Sequence, residues 1–159
     1  MNADGTHLKR LTTNPAVDEQ PQWSPDGTHI AFTSTRTPTT AQVFVMKADG
    51  THERQLTSIG ENALPSWSPS GKQIVFTSSR DGNSEIYKRK ADGSVINLTN
   101  NPADDAYPAY SPNGKWIAFE SFRDGNFEIY KMSSSGGQQT NLTNDPLFND
   151  VEPTWQPLH

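Results

Sequence analysis

The sequence repeats one short motif four times. In each copy a proline is followed two residues later by an aromatic residue and four residues later by a second proline. The copies begin at Pro21, Pro65, Pro108 and Pro153, so they are spaced 44, 43 and 45 residues apart. A fixed period in the low forties indicates structurally equivalent units, each of which packs against its neighbours in the chain.

Each unit is predicted to contain four short strands. In the second unit a strand ends at Trp67, and a Ser-Pro-Ser-Gly turn leads into a second strand over 73–78, where large and small apolar residues alternate. Asp-Gly-Asn at 81–83 begins the third strand, and Ala-Asp-Gly at 91–93 turns the chain into an outer strand that ends in Leu-Thr. Four strands at this period predict an all-β fold of the β-propeller type, in which the units are blades around a central channel.

The repeat boundaries predict three complete blades and a partial blade at each end. Within one repeat region over 1–159, an outer strand lies in 1–12, blades cover 13–57, 58–99 and 100–143, and a partial blade follows in 144–159, which gives fourteen strands. A closed ring needs at least four blades. We therefore expect a second chain to close the ring, with a homodimer of about six blades favoured, or a longer protein to supply the rest. Uncovered blade faces would promote such association.

The composition narrows the partners that such a ring could bind. The net charge is −5, whereas a general nucleic-acid binder needs a basic surface, so we expect no nucleic-acid partner. No apolar run approaches the roughly 20 residues of a membrane helix, and the first residues do not follow the signal-peptide pattern. The absence of cysteine excludes disulfides and thiol chemistry.

Several short motifs recur along the chain, identically or with substitutions, namely Ser-Pro-Asp-Gly, Ile-Ala-Phe-x-Ser, Ser-x-Arg-Asp-Gly, Glu-Ile-Tyr, Ala-Asp-Gly and Leu-Thr. With these motifs the unit resembles the TolB-type repeat, a PD-type relative of the WD propellers, over nearly the whole chain. The resemblance implies a non-enzymatic module that binds a protein or peptide segment at the mouth of the channel, in the periplasm or outside the cell. The amino-terminal α/β domain of the TolB family has no counterpart in these residues.

Two other interpretations of the repeat stay open. Similar repeats occur in the propellers of prolyl-oligopeptidase-like and tricorn-like peptidases, and function resides in sites and not in folds. The chain is therefore, in the second interpretation, the gating or substrate-selecting propeller of a larger secreted peptidase, hydrolase or lyase. In the third it is a self-assembling half-propeller with a mainly structural role.

Catalytic and metal-binding motifs are matched only incompletely. The sequence has no Gly-x-Ser-x-Gly nucleophile elbow, and the zinc-protease pattern that begins at His52 lacks its second histidine. The Asp-x-Asn-x-Glu run at 81–85 is spaced like calcium ligands, but Ile86 stands where a calcium loop needs glycine. We expect no catalytic residue, no metal and no cofactor.

Polar residues recur in the loop that leads into the first strand of each unit, which in a propeller lies beside the channel. Five residues before the aromatic stand Asp18, Asn62, Asp105 and Asp150, with Glu19 close by. Three residues before it the side chain differs from unit to unit, and these residues are Gln20, Leu64, Tyr107 and Glu152. We predict that all nine line a binding site at the channel mouth, and that the residues that differ determine specificity.

Arginines recur on the same face, thirteen residues after the aromatic, at Arg36, Arg80 and Arg123. In one interpretation each arginine pairs with a carboxylate of its own or a neighbouring blade, and this inter-blade pairing locks the ring. In the other, the carboxylates outnumber the arginines and leave a negative mouth that can hold a cation or a basic peptide segment. The sequence does not choose between the two.

Overall fold

The described part of the chain folds into β-strands joined by turns and irregular segments. The structure is a computed structural model that describes residues 1 and 4–156. No helix occurs among these residues, and hence none that could cross a membrane. Two positions of the predicted motifs, Ala3 and Pro157, lie outside the described residues. The strands are β1 (Asp18–Trp23), β2 (His29–Ser34), β3 (Gln42–Lys47), β4 (Arg54–Gln55), β5 (Asn62–Trp67), β6 (Ile74–Ser78), β7 (Glu85–Arg89), β8 (Val95–Asn97), β9 (Asp105–Tyr110), β10 (Trp116–Ser121), β11 (Glu128–Ser133) and β12 (Thr140–Asn141).

The twelve strands form three antiparallel sheets, each a meander of four consecutive strands. We call them blade 1 (β1–β4), blade 2 (β5–β8) and blade 3 (β9–β12). In every blade the first strand is the inner edge and the last is a short outer strand of two or three residues. The predicted all-β propeller segment with three complete four-stranded blades is confirmed.

The alternation of apolar residues buries both faces of the middle blade, because successive side chains in a strand point to opposite faces. Ile74 and Phe76 of β6 pack toward blade 1 in a cluster that includes Ala31 and Val43. Val75 of β6 packs on the opposite side, toward blade 3. The blades are therefore held together face to face by apolar contacts and not by shared strand ladders.

The segment 4–12 lies against blade 1 but is not a strand. Leu11 packs on Ile30 and Phe32, in the way that Leu98 at the end of blade 2 packs against blade 3. The segment thus occupies the position of an outer strand of a preceding blade, as predicted. It forms no ladder because no partner strand lies beside it among the described residues.

The segment 151–156 lies beyond blade 3, in the position of the first, inner strand of a following blade. The indole Nε1 of Trp155 donates a hydrogen bond to the carbonyl of Ala109 at 2.9 Å, just as Trp67 Nε1 donates to the carbonyl of Gln22 at 3.1 Å. Like the segment 4–12, the segment 151–156 is not a strand. Residues 1 and 4–156 therefore contain twelve strands where fourteen were predicted for the chain, since a segment without a neighbouring strand cannot complete a ladder.

One glycine turn brings blades 2 and 3 into close contact, and a pair of substitutions tests it. Gly136 has φ of 95°, and an added Cβ would lie 2.7 Å from the Leu98 carbonyl oxygen. The equivalent Gly93 has φ of 87°, and its nearest neighbour would be Arg89 Nη2 at 3.4 Å. We expect Gly93→Ala to lower the free energy of unfolding by about 1 kcal/mol through left-handed strain alone. Gly136→Ala should cost about 2–3 kcal/mol, because blade 3 must also move.

Urea unfolding of the two alanine variants beside the wild-type protein measures this difference. Both replace a glycine at the same turn position, so the strain is common to both and the excess loss in Gly136→Ala reports the contact between blades. Equal losses in the two variants would contradict that contact.

Candidate functional site

The inner strands of the three blades and the segment 151–156 line a groove of about 690 Å³. In a propeller the inner strands surround the central channel, so this groove is the channel wall that the chain supplies. Its aromatic side chains are Trp23, Trp67, Tyr107, Tyr110 and Trp155. Among the described residues that line it, Glu152 carries the only charge. The groove is therefore rich in aromatic surface and has no basic side chain in its described lining.

The four residues that differ from repeat to repeat all line this groove. They are Gln20, Leu64, Tyr107 and Glu152. Each precedes a proline and has a left-handed backbone, with φ between 52° and 57°. Proline has no N–H to donate, so the ladder between the first and second strands is interrupted there by a register shift in all three blades. The resulting bulge directs the preceding side chain out of the normal alternation and into the groove.

The left-handed backbone at these four positions is strained. A left-handed backbone at a residue other than glycine is unfavourable by about 1–2 kcal/mol. The same left-handed backbone recurs at all four positions, and at three of them it lies in a bulge between paired strands. The side chains at these positions are therefore presented from rigid backbone, although their chemistry differs.

A second set of polar side chains supports the bulges, at the position after phenylalanine in the Ile-Ala-Phe-x-Ser motif. Thr33 donates from Oγ1 to Gln20 Oε1 at 2.7 Å, and the Leu64 N–H of the next blade donates to both oxygens at 3.2 Å. At the same position in blade 3, Glu120 Oε2 accepts from the Glu152 N–H at 3.2 Å. Sequence analysis missed this position, although its variation within a regular motif was a usable signal.

The predicted arginines pair within their own blades. Arg36 Nη2 lies 2.9 Å from Asp18 Oδ2, Arg80 Nη2 donates to Asn62 Oδ1 at 2.9 Å, and Arg123 Nη2 lies 2.8 Å from Asp105 Oδ2. Each guanidinium also lies over two aromatic rings of the same blade; Arg80, for example, is 4.3 Å from the ring centre of Tyr87. Arg36 and Arg123 thus pair with a carboxylate of their own blade and Arg80 with an amide of its own blade, and no salt bridge among the described residues joins two blades.

These pairs remove three of the predicted mouth residues from the groove. Asn62 and Asp105 are fully buried, and Asp18 is nearly so. Burial opposes ionisation of Asp18, but hydrogen bonds from Ser34 and Arg36 outweigh it and lower the pKa of this carboxyl. Burial prevails at Asp105 and raises its pKa despite the neighbouring Arg123. The carboxylates of Asp18 and Asp105 therefore neutralise the arginines and do not form an open negative surface.

The remaining predicted residues lie nearer the solvent. Asp150 is half-buried, and its N–H donates to the carbonyl of Phe127 at 2.7 Å, as the Asp105 N–H does to Ser84. Glu19 is exposed on β1.

Burial raises the pKa of the Tyr107 hydroxyl, and the charges of Glu152, Glu120 and Glu19 add to this effect. The structure thus places Tyr107 in a negative field.

The run that resembles a calcium loop has a structural role here. Asn83 Nδ2 donates to the carbonyls of Asn101 and Ala103 at 2.9 and 3.0 Å, and Glu85 Oε1 accepts from the Asn101 N–H at 2.7 Å. These bonds fasten blade 2 to the loop that enters blade 3. Within residues 1 and 4–156 no group of three or more histidine or acidic side chains is arranged to hold a metal ion.

Three meander blades, packed face to face with their inner strands around a common groove, define a segment of a β-propeller. The sequence profile of the TolB beta propeller domain matches residues 58–158, which is more than half of the chain. The chain therefore belongs to the TolB β-propeller family. No curated protein sequence matches it.

Solved structures of the same fold extend this comparison. TolB from Acinetobacter baumannii is 29% identical with a TM-score of 0.83, and the match covers 96% of this chain but 38% of that one. A protein assigned as TolB in Agrobacterium tumefaciens is 22% identical with a TM-score of 0.79, covering 92% of this chain and 69% of that one. A puromycin-hydrolyzing peptidase of Mycobacterium tuberculosis is 17% identical with a TM-score of 0.76, and the match covers 97% of this chain and 26% of the peptidase. The fold is thus shared by proteins of different function.

Proposed function

We propose that the chain is a non-enzymatic interaction module that binds a segment of another protein in the channel groove. The observation that carries this proposal is the groove itself, in which four equivalent positions present four different side chains from one strained backbone geometry. Fixed geometry with varied chemistry is what a recognition surface requires, because a preorganised site loses little conformational entropy on binding.

The shape and lining of the groove favour a peptide over a rigid protein face. A concave site of about 690 Å³ can take a few side chains of an extended segment. Its tyrosines and tryptophans offer large contact areas together with polar atoms, and such residues dominate binding energy at interfaces. Membership of the TolB family supports the same role, in the periplasm or outside the cell.

Tyr107 is the residue whose removal should weaken binding most. It is half-buried and lines the groove from the bulge of blade 3. We expect peptides selected from a random twelve-residue display library on the wild-type protein to bind Tyr107→Ala at least about tenfold more weakly. Fluorescence anisotropy of the resynthesised peptides measures the dissociation constants.

Phe122→Ala is the matched control. Phe122 is an aromatic residue with 44% exposure that does not line the groove, so its removal should leave the affinities unchanged. Selected peptides that bind both variants as tightly as they bind the wild-type protein would contradict the groove as the binding site.

A further inference from the structure

Glu120 is a buried carboxylate that lacks a cationic partner. It is 5% exposed on β10. The salt bridges among the described residues join Arg36 to Asp18 and Glu53, and Arg123 to Asp105, and none involves Glu120. Among the described residues its side chain accepts one hydrogen bond, from the Glu152 N–H, which is a neutral donor. Burial accordingly raises the pKa of this carboxyl, with the Glu152 charge adding to the effect.

The other buried glutamates are satisfied in a different way. Glu85 accepts hydrogen bonds from Thr99 and from the Asn101 N–H, and Glu128 accepts from Asn126 and Thr143. Those carboxylates fasten loops to their own blade. In the described part of the chain Glu120 has no such set of donors, so a role in holding the fold does not account for its charge.

The repeat shows what the fold itself needs at this position. Blades 1 and 2 carry Thr33 and Thr77 there, on the strands that pair with the inner strands. Thr33 bonds to Gln20 and Leu64, which both line the groove, so this position is directed at the bulge. A neutral hydroxyl is sufficient in two blades, and the negative charge of Glu120 is therefore specific to blade 3.

A second polar side chain at this repeat position lacks a hydrogen-bond partner among the described residues. Thr77 is 9% exposed, and its hydroxyl has no hydrogen-bond partner among the described residues. Because Thr33 reaches the bulge of the following blade, we expect Thr77 at the same repeat position to face the bulge that carries Tyr107. A hydroxyl without a hydrogen-bond partner and a carboxylate without a cation thus occupy the repeat position that supports the bulges, and Glu120 contacts the backbone of the groove residue Glu152.

The groove surface beside them suits a cation. Its described lining contains five aromatic side chains and Glu152, and no lysine, arginine or histidine. Aromatic faces and carboxylates both attract ammonium and guanidinium groups, and the attraction increases when water is excluded. A free metal ion is disfavoured, because no group of three acidic or histidine ligands is present in the described part of the chain.

We propose that the segment bound in the groove carries a lysine or arginine, and this inference rests on the proposed function. The charged head of that residue lies against Glu120 and Glu152, while its alkyl chain packs on Tyr107. The carboxylate of Glu120 then gains the cationic partner that the fold does not provide. Long basic side chains combine an apolar stem with a charged end, which matches an aromatic wall next to a buried carboxylate.

The test uses the peptides selected on the wild-type protein that depend on Tyr107. Each is resynthesised with its basic residue replaced by norleucine, which keeps the stem and removes the charge. We expect the dissociation constant to rise about tenfold or more on the wild-type protein, and less than about twofold on Glu120→Gln. Lysine and arginine forms of each peptide, measured side by side, distinguish the two cations.

Glu120→Gln keeps the size and an acceptor oxygen, and it should melt no earlier than the wild-type protein because it removes a buried charge. Asp49→Asn is the matched control, since it removes the same charge at the exposed turn between β3 and β4. It should leave peptide affinities unchanged.

The outcomes separate this inference from the proposed function. Peptides that depend on Tyr107 but contain no basic residue, or that bind Glu120→Gln as tightly as wild type, overturn the inference and leave the groove as the binding site. If no selected peptide depends on Tyr107, both fall.

Discussion

We expect Asp105→Ala to lower the free energy of unfolding by about 3 kcal/mol. Asp105 is fully buried and receives two hydrogen bonds from Arg123 Nη2, at 2.9 and 2.8 Å. Its removal leaves a guanidinium that is 16% exposed without a counter-charge. Breaking a buried pair by removing one partner is strongly destabilising, because the remaining charge loses both water and its partner. Urea unfolding followed by tryptophan fluorescence measures the loss.

Asp105→Asn is the control, and blade 2 already contains its equivalent. There Asn62 accepts from Arg80 at 2.9 Å in a position otherwise occupied by aspartate. We expect Asp105→Asn to cost about 1 kcal/mol or less, since it keeps the hydrogen bond and also removes the burial penalty that raises the pKa of Asp105. An asparagine variant as unstable as the alanine variant would show that the charge itself is needed.

Phe76→Ala should cost about 4 kcal/mol. Phe76 is fully buried in the apolar cluster between blades 1 and 2, with its ring centre 6.1 Å from that of Tyr87 and beneath Arg80. Truncation loses the burial of the ring and leaves a cavity at a place where two blades meet and cannot collapse freely. The same urea experiment gives the loss of stability.

Phe122→Ala controls for the loss of an aromatic residue as such. Phe122 is 44% exposed and pairs only with the ring of Phe127 among the ring contacts of the described residues. Its removal should cost about 1 kcal/mol or less. Similar losses in the two phenylalanine variants would mean that the interface between blades 1 and 2 contributes little to stability.

The strands followed from the sequence because their signals are local. Alternation in 73–78 and the turn at 81–83 depend only on neighbouring residues, and β6 and β7 lie where these signals place them. The two terminal segments were predicted as strands from the same motifs. Their described residues form no strand, because a ladder depends on a partner that no local pattern contains.

The site was predictable only in part, for a related reason. Repeat positions such as Leu64 and Tyr107 could be recognised as variable, and the structure brings both to one groove. The same reasoning placed Asp105 with them, although its side chain turns away to Arg123 inside the blade. Glu120 was overlooked, because its importance depends on which partners are missing around it, and a sequence shows only which residues are present.

The sequence alone determined the repeating unit, the four strands of each blade and the membership of a propeller. These features rest on the period of the chain and on backbone preferences of proline, glycine and alternating apolar residues, which act over a few residues. Only the tertiary structure decided which polar groups neutralise one another and which face the channel. Pairing and burial depend on distances between blades, and in this fold a single bulge before proline decides whether a side chain enters the groove or the core.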